Sequence, residues 1–176
     1  MWKGIEENTK LDKQLKKKGK NFVMTNPDMA KYLIENHTNI LHGDIVMEPC
    51  KGSGSFYDNL PEYSTNHYCE IEEGLDYLKD MTKVDITLSN PPFVPRKLFW
   101  DFHTTAMKNT RREIYWLINM SSLNVFTPKR LEEMRELGWY INNFQIVSDK
   151  RWFGRYVWVK ISKENTNTFG WNRKVF

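Results

Sequence analysis

Apolar and polar positions along this chain switch between the period of a helix and that of a strand, with turn residues between the blocks. Thr25-Asn26-Pro27-Asp28 opens the first clear element. Asn26 can cap a helix, Pro27 suits its first turn, and Asp28 suits its positive end. Ala30, Leu33 and Ile34 then recur at helical spacing. After His42-Gly43, the run Ile45-Val46-Met47 reads as a strand that ends in a glycine loop. A helix of about two turns is predicted through Ser55–Leu60, stopped by Pro61.

His67–Glu70 and Val84–Ser89 read as further strands, the latter ended by Pro91-Pro92. Lys97–Lys108 is predicted helical, with Phe99, Phe102 and Ala106 on one side. Ile114–Met120 is a long apolar strand, and Thr127-Pro128 opens a helix that Gly138 closes. Ile141–Ser148 and Tyr156–Ser162 pair as an antiparallel hairpin. Strands separated by helices, with a hairpin at the end, predict an α/β fold with a mostly parallel sheet. In such sheets ligands bind beyond the carboxyl ends of the strands. The glycine loop, Glu70 and Asn90 all fall at such ends.

Length changes this picture little: 176 residues suit one domain with a proper core. We expect residues 1–20 to be a loosely held basic segment and 21–176 the single folded domain. No apolar run approaches the roughly 20 residues that cross a bilayer, and no signal peptide opens the chain. The two cysteines, Cys50 and Cys69, make neither a disulfide framework nor a zinc spacing. A reducing, cytoplasmic setting without membrane or metal is expected. His37, His42, His67 and His103 carry no ligand or nucleophile spacing, and Trp116, Trp139 and Trp158 read as core.

Charge changes more. Residues 1–20 hold seven lysines against Glu6, Glu7 and Asp12. Residues 143–176 hold seven Lys or Arg against Asp149 and Glu164, so the middle is net acidic although the whole is +4. Basic flanks suit contact with phosphates, although a solvated lysine-rich tail fits residues 10–20 equally.

Candidate chemistry begins at Glu48-Pro49-Cys50-Lys51-Gly52-Ser53-Gly54. Gly52 and Gly54 can adopt backbone conformations closed to other residues. A plain tight turn would use them too. No Gly-Lys-Ser/Thr ending follows, so this is no P-loop. Glu70 ends the second strand where a carboxylate could accept from ribose hydroxyls. Asp76 could accept from an adenine amino group, flanked by Tyr77 or Leu78. Glu72 and Glu73 crowd the same turn, and only some of these acids can be ligands.

Asn90-Pro91-Pro92-Phe93 is the most specific feature. The lone pair of an exocyclic amino group is delocalised into its ring, so the nitrogen is a poor nucleophile. The Asn90 side-chain oxygen and the Pro91 carbonyl could accept its two hydrogens, favour a tetrahedral nitrogen and stabilise the positive charge that develops there. Tandem prolines stiffen the turn, and Phe93 could stack on the base.

The glycine loop followed by Ser89-Asn90-Pro91-Pro92-Phe93 resembles the Rossmann-like amino-methyltransferases, and its motif order resembles the gamma class of adenine-N6 DNA methyltransferases. The resemblance spans residues 22–162. It implies a class I methyltransferase fold: a mostly parallel seven-stranded sheet with a C-terminal antiparallel hairpin and helices on both faces. It implies S-adenosylmethionine as cofactor, held by Thr25, Glu48, Pro49, Gly52, Gly54, Glu70, Asp76, Tyr77 and Asn90. Catalysis would rest on Asn90, Pro91, Pro92 and Phe93. The second face of a flipped or unpaired adenine would meet Phe153, with Trp152 the alternative, while Lys150, Arg151 and Arg155 suit the flanking phosphates.

Gamma-class enzymes carry a target-recognition domain after the hairpin, whereas about 14 residues follow Ser162 here. That departure argues against sequence-specific DNA recognition by this segment alone, while the basic flanks favour nucleic acid; DNA is the first substrate expected, with weak selectivity or with recognition supplied by a specificity subunit or a second copy. Structured RNA such as rRNA or tRNA comes next. A protein glutamine and a silent cofactor-binding subunit remain as further alternatives.

Overall fold

The computed structural model describes residues 24–150 and 154–166. Its strands are β1 (Ile45–Glu48), β2 (Thr65–Tyr68), β3 (Val84–Ser89), β4 (Thr110–Asn119), β5 (Tyr140–Val147) and β6 (Tyr156–Ser162). They form one sheet in the order β2-β1-β3-β4-β6-β5. The first four run parallel, and β6 is antiparallel to both β4 and β5. Among the described residues three α-helices flank the sheet: α1 (Pro27–His37), α2 (Arg96–Asn109) and α3 (Pro128–Glu136).

β4 shows how one strand serves two layers. Ile114, Trp116 and Ile118 pack among Phe99, Phe102 and Ala106 of α2 and Leu131 and Met134 of α3. Tyr115 and Leu117 point the other way, into the layer of Ala30, Leu33 and Ile34 from α1. A strand covered on both faces reads as a continuous apolar run, which is why this one stands out in the sequence. Helices thus lie on both faces, as expected.

Local chemistry sets the helix ends. Asn26 Oδ1 accepts from the Asp28 N–H at 2.9 Å and starts α1. Thr127 Oγ1 accepts from the Arg130 N–H at 3.4 Å and starts α3. Gly138, at φ 74°, turns the chain out after α3. Trp116, Trp139 and Trp158 are buried. His103 is a core residue: its Nδ1 accepts from Trp116 Nε1 at 3.1 Å, and burial holds it neutral with a pKa pushed down to about 3.

Three expectations are corrected. Six strands, not seven, are present among the described residues. Between β2 and β3 the chain forms two 3-10 turns, Ile71–Glu73 and Tyr77–Lys79, whose N–H groups are taken by the Glu70 and Asp76 side chains. The predicted helix over Ser55–Leu60 shrinks to a 3-10 turn at Tyr57–Asn59. Asn59 Nδ2 donates to the Ser55 carbonyl at 2.9 Å and competes with the helical ladder. β2 begins and ends two residues early, so Glu70 lies beyond the strand.

Trp158 tests the packing. It lies between Phe56 and Tyr115, with ring centroids 5.4 and 5.5 Å away, and its Nε1 donates to the His37 carbonyl at 3.2 Å. Trp158→Ala is expected to cost about 3–5 kcal/mol in urea unfolding. A loss below about 1 kcal/mol would show that this layer can collapse around the gap.

Candidate functional site

β1, β3 and β4 run parallel, so the segments that follow them leave from one edge of the sheet. β1 delivers Glu48 and the glycine loop, and β3 delivers Ser89 and Asn90. The loop needs its second glycine. Gly54 has φ 84°, and a Cβ there would sit 2.6 Å from Asp58 Oδ2. Gly52 has φ 52° but faces open space, so its requirement is conformational.

Glu70 pins this loop. Its Oε2 accepts from the Gly52 N–H at 2.7 Å, and Oε1 accepts from the Glu72 N–H at 3.2 Å. The Lys51 N–H donates to the Cys69 carbonyl at 3.1 Å, a second tie between the same segments. Carboxylate oxygens have further lone pairs, so Glu70 keeps capacity for a hydroxyl donor. Asp76 caps the next turn through the Leu78 N–H at 3.1 Å and pairs with Lys79 at 3.1 Å.

Tyr77 does not reach this surface. Its ring is buried against Phe102, 5.2 Å between centroids, and burial pushes its hydroxyl well above the ordinary tyrosine range. Leu78 is the exposed member of the pair. Burial, with the Asp80 carboxylate beside it, likewise pushes the Cys69 thiol up to about 12.

Glu48 is only 1% exposed, and its Oε2 has no hydrogen-bond partner. Burial drives its carboxyl well above the usual range; the Tyr57 N–H pulls the other way, Asp58 and Glu70 push it up, and Lys51 pulls it down. A buried acceptor of this kind is completed by a cationic or hydrogen-bond-donating ligand.

Thr25 joins the two halves. Its carbonyl accepts from Ser55 Oγ at 2.8 Å, just past the glycine loop, and Asn90 Nδ2 donates to its Oγ1 at 3.2 Å. That bond spans 65 residues and turns the Asn90 oxygen away from Thr25. Pro91 is buried, while Pro92 and Phe93 are half-buried. The Phe93 ring meets Tyr156 edge-on, with centroids 6.3 Å apart. Tyr156 opens β6 and bonds to Asn119 at the end of β4.

Thr25, Glu48, Pro49, Gly52, Gly54, Glu70 and Asn90–Phe93 therefore occupy one edge of the sheet, with Asp76 beyond Glu70. Lys150 and Arg155 are exposed on the connection between β5 and β6. Arg151, Trp152 and Phe153 lie outside the described residues, as does the basic segment 1–20. Sequence reasoning missed Ser55, Asn119 and Tyr156. The signal for Tyr156 was its place as the first residue of the last strand, directly after the basic turn.

No family profile matches the sequence, and no curated protein is similar to it in sequence. The solved structures decide the fold. One is a Listeria monocytogenes protein assigned to the class I S-adenosylmethionine-dependent methyltransferases. It shares 13% identity at a TM-score of 0.61, over 94% of this chain and 69% of that one. The chain has the Rossmann-like class I methyltransferase fold. Synechocystis magnesium protoporphyrin IX methyltransferase, solved with S-adenosylmethionine, shares the class I fold with a TM-score of 0.58 and 10% identity, over 78% of this chain and 77% of that one. The Mtq2–Trm112 complex of E. cuniculi, responsible for methylating the termination factor eRF1, gives 0.57 and 16%, over 82% of this chain and 99% of that one. The class I fold thus serves porphyrin and protein substrates alike, so the substrate has to be argued from the site.

Glu48 supplies a test with a definite sign. Its folded pKa is raised, so its contribution to stability is fully present below the ordinary carboxylate pKa and is lost as pH rises above it. Glu48→Gln removes that loss. The melting temperature of the variant relative to wild type should rise as pH climbs above the ordinary carboxylate range. A difference that stays flat over that climb would show that the wild-type carboxyl ionises without penalty.

Proposed function

We propose that this chain is an S-adenosylmethionine-dependent N6-adenine methyltransferase acting on DNA. The observation that carries the reading is the Asn90 amide, held by Thr25 at the end of β3 beside the buried carboxyl of Glu48. That arrangement joins an acceptor for an amino group to a pocket for a cation.

The residues fit the cofactor. Glu48 supplies an unpartnered buried acceptor suited to an ammonium group, Glu70 an acceptor suited to a ribose diol, and Asp76 one suited to the adenine amino group. Leu78, rather than Tyr77, is exposed to flank the ring. Bound S-adenosylmethionine supplies an electrophilic methyl group. Asn90 Oδ1 and the Pro91 carbonyl accept the two hydrogens of the target amino group and leave its lone pair available for that methyl. They also stabilise the positive charge that grows on the nitrogen. The proton is lost to water after transfer, so no strong base is needed. Phe93, braced by Tyr156, takes one face of the base. The reading assigns the other face to Phe153 or Trp152, and the flanking phosphates to Lys150, Arg151 and Arg155.

The purified protein should transfer labelled methyl groups to adenine-containing DNA, with N6-methyladenine found on nucleoside analysis. Duplex DNA, single-stranded DNA, structured RNA and a glutamine peptide form the four arms. Asn90→Ala should lower the rate by roughly 10²-fold or more, while S-adenosylhomocysteine binding, still held by Glu48, Glu70 and Asp76, weakens by a much smaller factor. Wild-type rates in that variant would overturn the mechanism. Labelled RNA or labelled glutamine in place of DNA would replace the substrate.

A further inference from the structure

The two halves of the candidate site differ in charge. Acidic side chains crowd the segments that follow β1 and β2, where Glu48, Asp58, Glu70 and Asp76 lie. After β3 the chain has no carboxylate from Asn90 to Trp100, and after β4 none from Met120 to Leu131. Those two segments carry Arg96, Lys97, Lys129 and Arg130 instead. The sheet order β2-β1-β3-β4-β6-β5 turns this into a spatial division, acidic at one side and basic at the other. Asn90 falls at the boundary.

The two basic segments are tied to each other through Arg130. The Arg130 guanidinium lies 4.5 Å from the centre of the Trp100 ring and donates to the Val125 carbonyl at 2.9 Å, which brings the first turns of α2 and α3 together. Lys97 is partly neutralised by Asp101 at 2.7 Å. Arg96 and Lys129 are exposed and make no ion pair among the described residues. Glu132 and Glu133 lie further along α3 and are half-buried. An exposed cation without a counter-charge, repeated along one edge, matches a polyanion with regularly spaced charges.

We propose that Arg96 and Lys129, with Arg130 fixed between them, form a phosphate track that carries the nucleic acid strand away from Asn90 across the first turns of α2 and α3. This track adds to the cations Lys150 and Arg155, the latter's carbonyl accepting from the Met120 N–H at 2.9 Å, and rests on the nucleic-acid reading above. It holds the strand through its backbone and is indifferent to base sequence.

The test is fluorescence-anisotropy binding of an adenine-containing single-stranded oligonucleotide to the full chain with S-adenosylhomocysteine present, over a salt series. The double variant Arg96→Gln/Lys129→Gln should bind about tenfold more weakly near 0.1 M salt, with the slope of log K against log salt shallower by about 1.4. Calorimetry should show cofactor-product affinity within about twofold of wild type. Lys108→Gln, which removes one positive charge at the far end of α2, should leave the slope unchanged. Wild-type slope in the double variant, or an equal loss in Lys108→Gln, would overturn the track while leaving the nucleic-acid reading standing. Wild-type protein that binds S-adenosylhomocysteine but no oligonucleotide would overturn both.

Discussion

Parallel pairing of β1 with β3 is the constraint on which the candidate site depends. It sets Val46 beside Ile86 and Met47 beside Thr87. The residues beyond that pairing, Glu48 on one strand and Leu88-Ser89-Asn90 on the other, therefore leave the sheet from the same edge on neighbouring strands. β2 lies on the outer side of β1, and β4 on the outer side of β3. The chain thus diverges at this point, which is where open α/β sheets form a crevice. The glycine loop, the Glu70 carboxylate and the Asn90–Thr25 bond are all consequences of that geometry.

Around this crevice the protein holds a group that is costly without a ligand. Glu48 is buried with one oxygen unmatched, beside a loop whose Gly54 takes a conformation open to glycine but rarely adopted by L-residues. Structural ties offset this cost. Glu70 binds the glycine loop, Ser55 binds Thr25, and Thr25 binds Asn90. Loop, helix entry and strand end are thereby linked through side chains that also face the crevice. The division of charge follows the same geometry, with acids beyond β1 and β2 suited to a cationic cofactor and bases beyond β3 and β4 suited to an anionic substrate.

Much of this was legible in the sequence because it rests on local chemistry or strong periodicity. Asn26-Pro27-Asp28 marks a helix start by itself, and the apolar run of β4 can only be a strand buried on both faces. Asn90-Pro91-Pro92 announces a strand end. Other features depend on contacts that local patterns do not encode. Asn59 takes a helical carbonyl for its side chain, so the expected helix after the glycine loop is only a 3-10 turn. β2 is a short edge strand of mostly polar residues, Thr65-Asn66-His67-Tyr68, and its ends carry little hydrophobic signal. The turn after Asp76 rotates Tyr77 inward and Leu78 outward, a choice made by Phe102 from a distant helix. Tyr156 and Asn119 meet only because β4 and β6 pair antiparallel, with Asn119 opposite Tyr156.

On the proposed reading, one crevice presents the cofactor from β1 and β2 and the target amino group from β3. A crystal structure with S-adenosylhomocysteine and a short adenine-containing oligonucleotide addresses it directly. The account predicts the ribose hydroxyls on Glu70 and the adenine amino nitrogen within about 3 Å of both Asn90 Oδ1 and the Pro91 carbonyl. A cofactor product bound away from Glu48 and Glu70, or an amino group satisfied by other acceptors, would contradict it.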